Sequence, residues 1–221
     1  MFTIGVHRIV ENHAATRGHE IALVGHETTF TYRELNQRAN ALARYFIARG
    51  FRRGSRAVVK MERCPELAMV LLAVLKAGGA YTWLDGRSAG RVATRPDKPV
   101  LAERCSDYAG WPSGISLEQQ ADGDEQRYLV MGIRDALAAS ARPAPNLPIL
   151  TRAADIAYVL PQRNGLPGVL VPHAAITALQ SHPLPETTDW SSELGALDLW
   201  LPLMVGATVT LTTAPAEAAA A

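Results

Sequence analysis

The chain has 221 residues, enough for one large domain or two small ones, and its 48% apolar and 19% charged content suits a globular protein with a sizeable core. A formal net charge of +1 offers no electrostatic footprint for nucleic acid or an acidic membrane surface, and two cysteines, Cys64 and Cys105, are too few for a disulfide framework or a zinc site. No apolar run reaches the ~20 residues that cross a bilayer, and the N-terminal stretch lacks the basic-then-apolar order of a signal peptide, so the cytoplasm is the expected location.

Along the chain, Val6, Ile9, Val10 and Ala14 recur at helical spacing and predict a short amphipathic helix over residues 6–17. Residues 21–24 and 28–30 read as a hairpin turning at Gly25. Thr31 and Glu34 have the spacing of a capping box, in which hydroxyl and carboxylate each satisfy a backbone N–H of the first turn. The helix they open buries Leu35, Ala39, Leu42, Ala43 and Phe46 on one face and stops at Gly50. Residues 56–61 predict a strand. Pro65 then suits the first turn of a helix that buries Leu67, Val70, Leu71, Val74 and Leu75 and ends at Gly78. With a further strand over 80–84 this makes a βαβ unit, hence a parallel pairing.

Residues 86–148 read as an irregular, variable segment rich in Pro, Gly and charge, with helical spacing only from Gln126 to Ala141 through Tyr128, Leu129, Met131, Ile133 and Leu137. Order resumes with a strand over 156–160, helices over 172–179 and 194–203, and a strand over 207–211. Residues 1–211 therefore read as one unit and residues 212–221, ending in poly-Ala, as a frayed tail. The expected fold class is α/β, a mostly parallel sheet flanked by helices.

Four stretches, in order, resemble the core motifs of the adenylation domains of nonribosomal peptide synthetases, members of the adenylate-forming superfamily. Thr29 to Asn36 with Ala39 to Ala43 is similar to the first, and Leu75 to Asp85 to the second, of the type LKAGxAYxPLD. Asp198 to Ala207 is similar to a later one, of the type EIWxPLLxGA. Ala157 to Leu160 and Val169 to His173 resemble the flanks of the phosphate-gripping loop, of the type YTSGTTGxPKG, that precedes V-x-V-x-H and a helix. The resemblance covers residues 6–211 and implies the N-terminal portion of an adenylate-forming core. It also implies a family reaction, ATP-dependent activation of an amino acid as an aminoacyl adenylate.

Between those flanks the chain departs from the family. The family loop wraps phosphates with backbone N–H groups, hydroxyls and a lysine, because glycine permits close approach, hydroxyls donate and the cation neutralises charge. Here residues 161–168 contain no Ser or Thr, and the lysine between Pro167 and Gly168 is absent. Arg163, Asn164, Gly165 and Gly168 are the residues left to hold ATP with its magnesium, if any nucleotide is bound; Pro161 has no N–H to offer. The family's Phe-Asp pair, whose carboxylate holds the substrate ammonium, falls on Ser192 and Glu193. A carboxylate at Glu193 is also what a helix start favours by its dipole alone.

The family's later motifs, among them the adenine-stacking loop and the C-terminal subdomain with its catalytic lysine, have no counterpart in these 221 residues. That lysine neutralises charge developing between carboxylate and α-phosphate, so no catalytic residue is assigned and no metal ligand set either. The expectation is a protein inert alone that acts, if at all, by docking to a synthetase module or to a small adenylation-domain chaperone of the MbtH type. The alternatives are a ligase completed by a separate chain and a pseudogene product with exposed apolar surface. Gly86-Arg87-Ser88-Ala89-Gly90 matches a nucleophile elbow, but Arg91 to Pro96 opens no helix after it. His7, His13, His19 and His26 are not at metal-ligand spacing and read as a solvated surface, His173 as structural, and Cys64 as packed near a helix start without an activating base.

Overall fold

In the computed structural model, residues 5–84, 114–119, 127–148, 151–160, 168–181 and 195–211 are described. The nucleophile-elbow match at 86–90, Cys105, Arg163, Asn164, Gly165, Ser192, Glu193 and the tail 212–221 lie outside them. The apolar spacing at the N-terminus forms α1 (Val6–Thr16), which buries Val6, Val10 and Ala14. β1 (Ile21–Val24) and β2 (Thr29–Thr31) pair antiparallel around a turn closed by the Gly25 N–H on the Thr28 carbonyl at 2.8 Å. Both halves of the capping box form at α2 (Tyr32–Ala48): the Glu34 N–H donates to Thr31 Oγ1 at 3.2 Å, and the Thr31 N–H to Glu34 Oε2 at 2.9 Å.

β3 (Arg56–Lys60), α3 (Pro65–Lys76) and β4 (Ala80–Leu84) make the expected parallel βαβ unit. α3 is buried on every side except at Glu66, as its nearly unbroken apolar sequence requires, and α2 lies along it. Within the segment read as irregular, the described residues hold β5 (Gly114–Gln119), β6 (Arg127–Met131) and α4 (Ile133–Ser140). The helix expected from Gln126 to Ala141 thus starts only at Ile133, and its first half is a strand. Pairing with β5 decides the matter. It puts Met131 inside and Val130 outside, an alternation of two that also fits the apolar spacing there, and Gly132 separates strand from helix.

β7 (Ile156–Leu160), β8 (Val169–Pro172), α5 (His173–Ala178), a 3₁₀ turn at Leu179–Ser181, α6 (Gly195–Val205) and β9 (Val209–Thr210) complete the described elements. They form two sheets, β2-β1-β9 and β6-β5-β3-β4-β7-β8. The α/β class and helix-flanked sheet are as expected, with parallel pairing confined in the larger sheet to β3-β4-β7 and antiparallel pairs on either side.

α2 and α3 both end in Schellman motifs, whose fifth-to-second and sixth-to-first bonds need a left-handed residue. Gly50 and Gly78 supply it, with φ of 92° and 85°. At α2 the Phe51 N–H reaches the Phe46 carbonyl, and the two rings meet edge-on at 6.1 Å. At α3 the Gly79 N–H reaches the Val74 carbonyl. The two ends meet, because a Cβ on Gly79 would lie 2.3 Å from the Phe51 ring and 2.7 Å from the Ser55 carbonyl oxygen. Gly79→Ala is therefore expected to lower unfolding free energy by about 1–3 kcal/mol in urea denaturation. Phe51→Val in the same chain should return part of that loss, giving a coupling of at least ~0.5 kcal/mol in the double-mutant cycle.

Candidate functional site

In a parallel sheet, ligands gather beyond the carboxyl ends of the strands. β7 is the last of the three parallel strands, and the stretch that resembles the phosphate loop leaves from its carboxyl end at Leu160. The chain returns as β8, with Leu160 opposite Val169, Val159 opposite Leu170 and Tyr158 opposite Val171. β7 and β8 thus pair as the two limbs of a hairpin. Of the residues read as the loop's nucleotide contacts, Gly168 is placed, at the root of the return strand. A Cβ there would lie 2.8 Å from Val159 Cγ1 and 3.2 Å from the Leu160 carbonyl oxygen, so this position takes glycine because the two limbs approach closely.

The hairpin is fixed by buried aromatics drawn from three of the four motifs. Tyr81 of β4 stacks on Tyr158 of β7 with ring centroids 5.6 Å apart and planes at 17°. The indole N–H of Trp200, on α6, donates to the Tyr81 hydroxyl at 2.7 Å. Both Trp200 and Tyr81 are buried, and burial drives the Tyr81 phenol far above its ordinary pKa, so it stays protonated. The remaining motif joins through Tyr32, whose hydroxyl contacts the Leu203 and Ala207 carbonyls at 3.2 and 2.8 Å. His13 Nε2 donates to the Met204 carbonyl at 2.8 Å, and Gln180 Nε2 donates to the same oxygen at 3.3 Å. These side chains satisfy the last carbonyls of α6, which no further turn of helix can reach.

A second polar group grips the segment leading to β7. Asn36 and Asn40, one turn apart on α2, both donate to Asn146 Oδ1, at 2.8 and 3.0 Å, and Arg44 reaches the Pro145 and Asn146 carbonyls. Arg53 holds Asp155 in a two-point pair at 2.8 and 2.7 Å, and the Arg152 N–H donates to the same carboxylate at 2.8 Å. These bonds hold the Asp155 carboxyl below its usual range.

The N-terminal histidines do not all face solvent as expected. His19 and His26 are exposed, but His7 is buried, because the inward face of α1 turns it toward α3 and α5. There it neighbours His173, also buried, and the pair of Lys76 with Glu11. Sequence reading missed this polar group. Its one signal was a lysine set in the apolar run of α3. Cys64 sits as expected at the N-cap of α3, its thiol pushed up to about 11 by burial. Among the described residues no three His, Cys, Asp or Glu side chains converge as a metal site would require, and no helix is long and apolar enough to cross a membrane.

Residues 10–93 match the AMP-binding enzyme family. Tyrocidine synthase 3 of Brevibacillus parabrevis is 45% identical over 80 residues, 36% of this chain and 1% of that protein. Tyrocidine synthase 1 of the same organism is 30% identical over 184 residues, 80% of this chain and 16% of its own length. The chain thus spans a small part of these relatives. The solved N-terminal subdomain of Klebsiella oxytoca NpsA has the same fold, with a TM-score of 0.68 at 23% identity over 99% of this chain and 57% of that one.

Because the buried stack needs both of its polar ends, Tyr81→Phe leaves the Trp200 N–H without an acceptor. It is expected to cost about 1–3 kcal/mol in denaturant unfolding, with Tyr158 and the β7–β8 hairpin losing hydrogen-exchange protection first.

Proposed function

The chain belongs to the AMP-binding family, in the adenylation-domain branch of nonribosomal peptide synthetases, and from that premise we propose that it is an adenylation-like core that does not activate an amino acid by itself. Its role in peptide biosynthesis is to dock to a synthetase module or to an MbtH-like protein. One observation carries this reading: the strands flanking the loop pair as a frame, and the loop sequence between them has neither a hydroxyl nor the family lysine. Pro161 has no N–H, residues 161–168 hold no hydroxyl, and no lysine stands between Pro167 and Gly168. That donor set lacks the hydroxyls and the lysine with which the family loop wraps a triphosphate and its magnesium.

Arg163 favours a second reading, an active amino-acid-activating ligase that works together with a separate chain. Its guanidinium carries a charge of the same sign as the lost lysine, and Asn164 beside it can donate. In that reading Glu193 would hold the substrate ammonium, as the family carboxylate does.

The test is amino-acid-dependent exchange of pyrophosphate into ATP, with the chain alone and with a synthetase module or an MbtH-like protein added. We expect background exchange from the chain alone, unchanged in Arg163→Ala, together with co-purification of one of those partners. Exchange well above background that falls at least tenfold in Arg163→Ala would replace this reading with the second.

A further inference from the structure

α1 begins against the start of α5, the helix that follows β8, and the contact is made by two histidines. His7 on α1 is 3% exposed, and His173, the first residue of α5, is fully buried. Their rings meet edge to face at 5.7 Å and 73°. The N–H of Val6, first residue of α1, donates to His173 Nδ1 at 3.4 Å. Side-chain acceptors at helix starts are normally oxygens, and here a neutral imidazole takes that place. The bond also sets the tautomer: Nδ1 carries the lone pair and the proton lies on Nε2, which is buried and has no hydrogen-bond partner among the described residues. His7 in turn meets Thr151 Oγ1 through Nε2 at 3.3 Å, while its Nδ1 is buried and unbonded among the described residues.

We propose that His7 and His173 form an acid-sensitive latch, which holds α1 on the start of α5 while both rings are neutral and releases it when they take up protons. Protonating His173 converts Nδ1 from acceptor to donor. The Val6 N–H then faces a second N–H, and the positive end of the α1 dipole faces a cation. Protonating His7 places a charge beside His173 and in the field of Lys76 and Arg8. The groups around the pair cannot relieve this. From α1, Glu11 is bonded to both Arg8 and Lys76. From α3 comes Lys76, itself a cation. From the segment before β7, Asp155 favours a charged His173 through space, but its oxygens are taken by Arg53 and the Arg152 N–H.

Burial holds His173 down to about 4 and His7 well below its ordinary value of 6.5. The opened form, with ordinary imidazoles, binds more protons than the closed form over the window from 6.5 down to about 4. Stability of the closed form is thus complete above 6.5 and falls as pH falls through that window. The opening constant rises about tenfold per pH unit for each ring that charges on release, and about a hundredfold when both do. The latch rests on how α1 and α5 pack and not on what the loop binds.

The test is hydrogen exchange of the full chain by mass spectrometry between pH 7 and 4, corrected for intrinsic exchange. Peptides from residues 6–16 and 168–178 should lose protection together and ahead of α2 and α3. In His7→Gln with His173→Asn, whose amide oxygen still accepts but does not titrate, the pH slope should vanish. An unchanged slope in that variant, or opening of α1 without the start of α5, would overturn the latch. Should the variant not fold, histidine ¹³C NMR of the unaltered chain decides. Both rings should stay neutral until the pH at which α1 opens, and a ring titrating near 6.5 with α1 still protected would refute the proposal.

Discussion

The structure depends on one buried bond, that from the Trp200 indole to the Tyr81 hydroxyl at 2.7 Å. Trp200 lies on α6 near the end of the chain, Tyr81 in the central strand β4, and Tyr158 stacks on Tyr81 from β7. An indole N–H buried without an acceptor costs more than the bond gains, so the pairing constrains where α6 lies relative to the sheet and does not merely add stability. Tyr32, from the first turn of α2, continues the constraint by meeting the Leu203 carbonyl near the end of α6 and the Ala207 carbonyl just beyond it. The order of the motifs along the chain has a physical reason: each contributes one partner of a shared core.

A comparable logic governs the charges. Lys76 is fully buried as a side chain, and its amine is held down to about 8 by desolvation, against the opposing pull of Glu11. Such a pair is weak ground for a claim of stability, since two hydrophobic side chains of the same volume serve as well or better. It is good ground for a claim of placement. α1 carries Glu11 and His7 on its inner face, and its dock sets Glu11 on Lys76 and His7 against the His173 ring and Thr151 Oγ1.

Much of this is legible in the sequence where the signal is local. The capping box at Thr31 and Glu34, the glycines closing α2 and α3 and the βαβ unit around α3 are read from neighbours a few residues apart, and the structure has each of them in its expected place. Misreading begins where a partner is distant. Tyr128, Leu129, Met131 and Ile133 satisfy a helical period, yet β5 draws residues 127–131 into a sheet, and nothing within the segment announces β5. His7 reads as solvated because spacing tells which face a residue takes, not what covers that face; His173, whose ring it meets, lies on α5. Of the candidate site, the hairpin frame is legible in the flanks 157–160 and 169–173, and Gly168 is placed at its root. Arg163, Asn164, Gly165 and Glu193 rest on the resemblance alone.

That division between frame and loop explains how the fold can hold while the loop sequence differs from the family's. The contacts that set the hairpin are made by Tyr158, Val159, Gly168 and His173, together with Tyr81 across the sheet. None of them is a hydroxyl or a cation of the phosphate-gripping kind. Family hydroxyls and the lysine are not among these contacts, so a loop without them removes none of the contacts on which the frame rests. Replacing Tyr81 or Gly168 breaks contacts in the frame itself. Selection on folding alone would therefore preserve the flanks and leave the loop to drift. The flanks 157–160 and 169–173 thus carry the frame through contacts that do not depend on which residues stand between them.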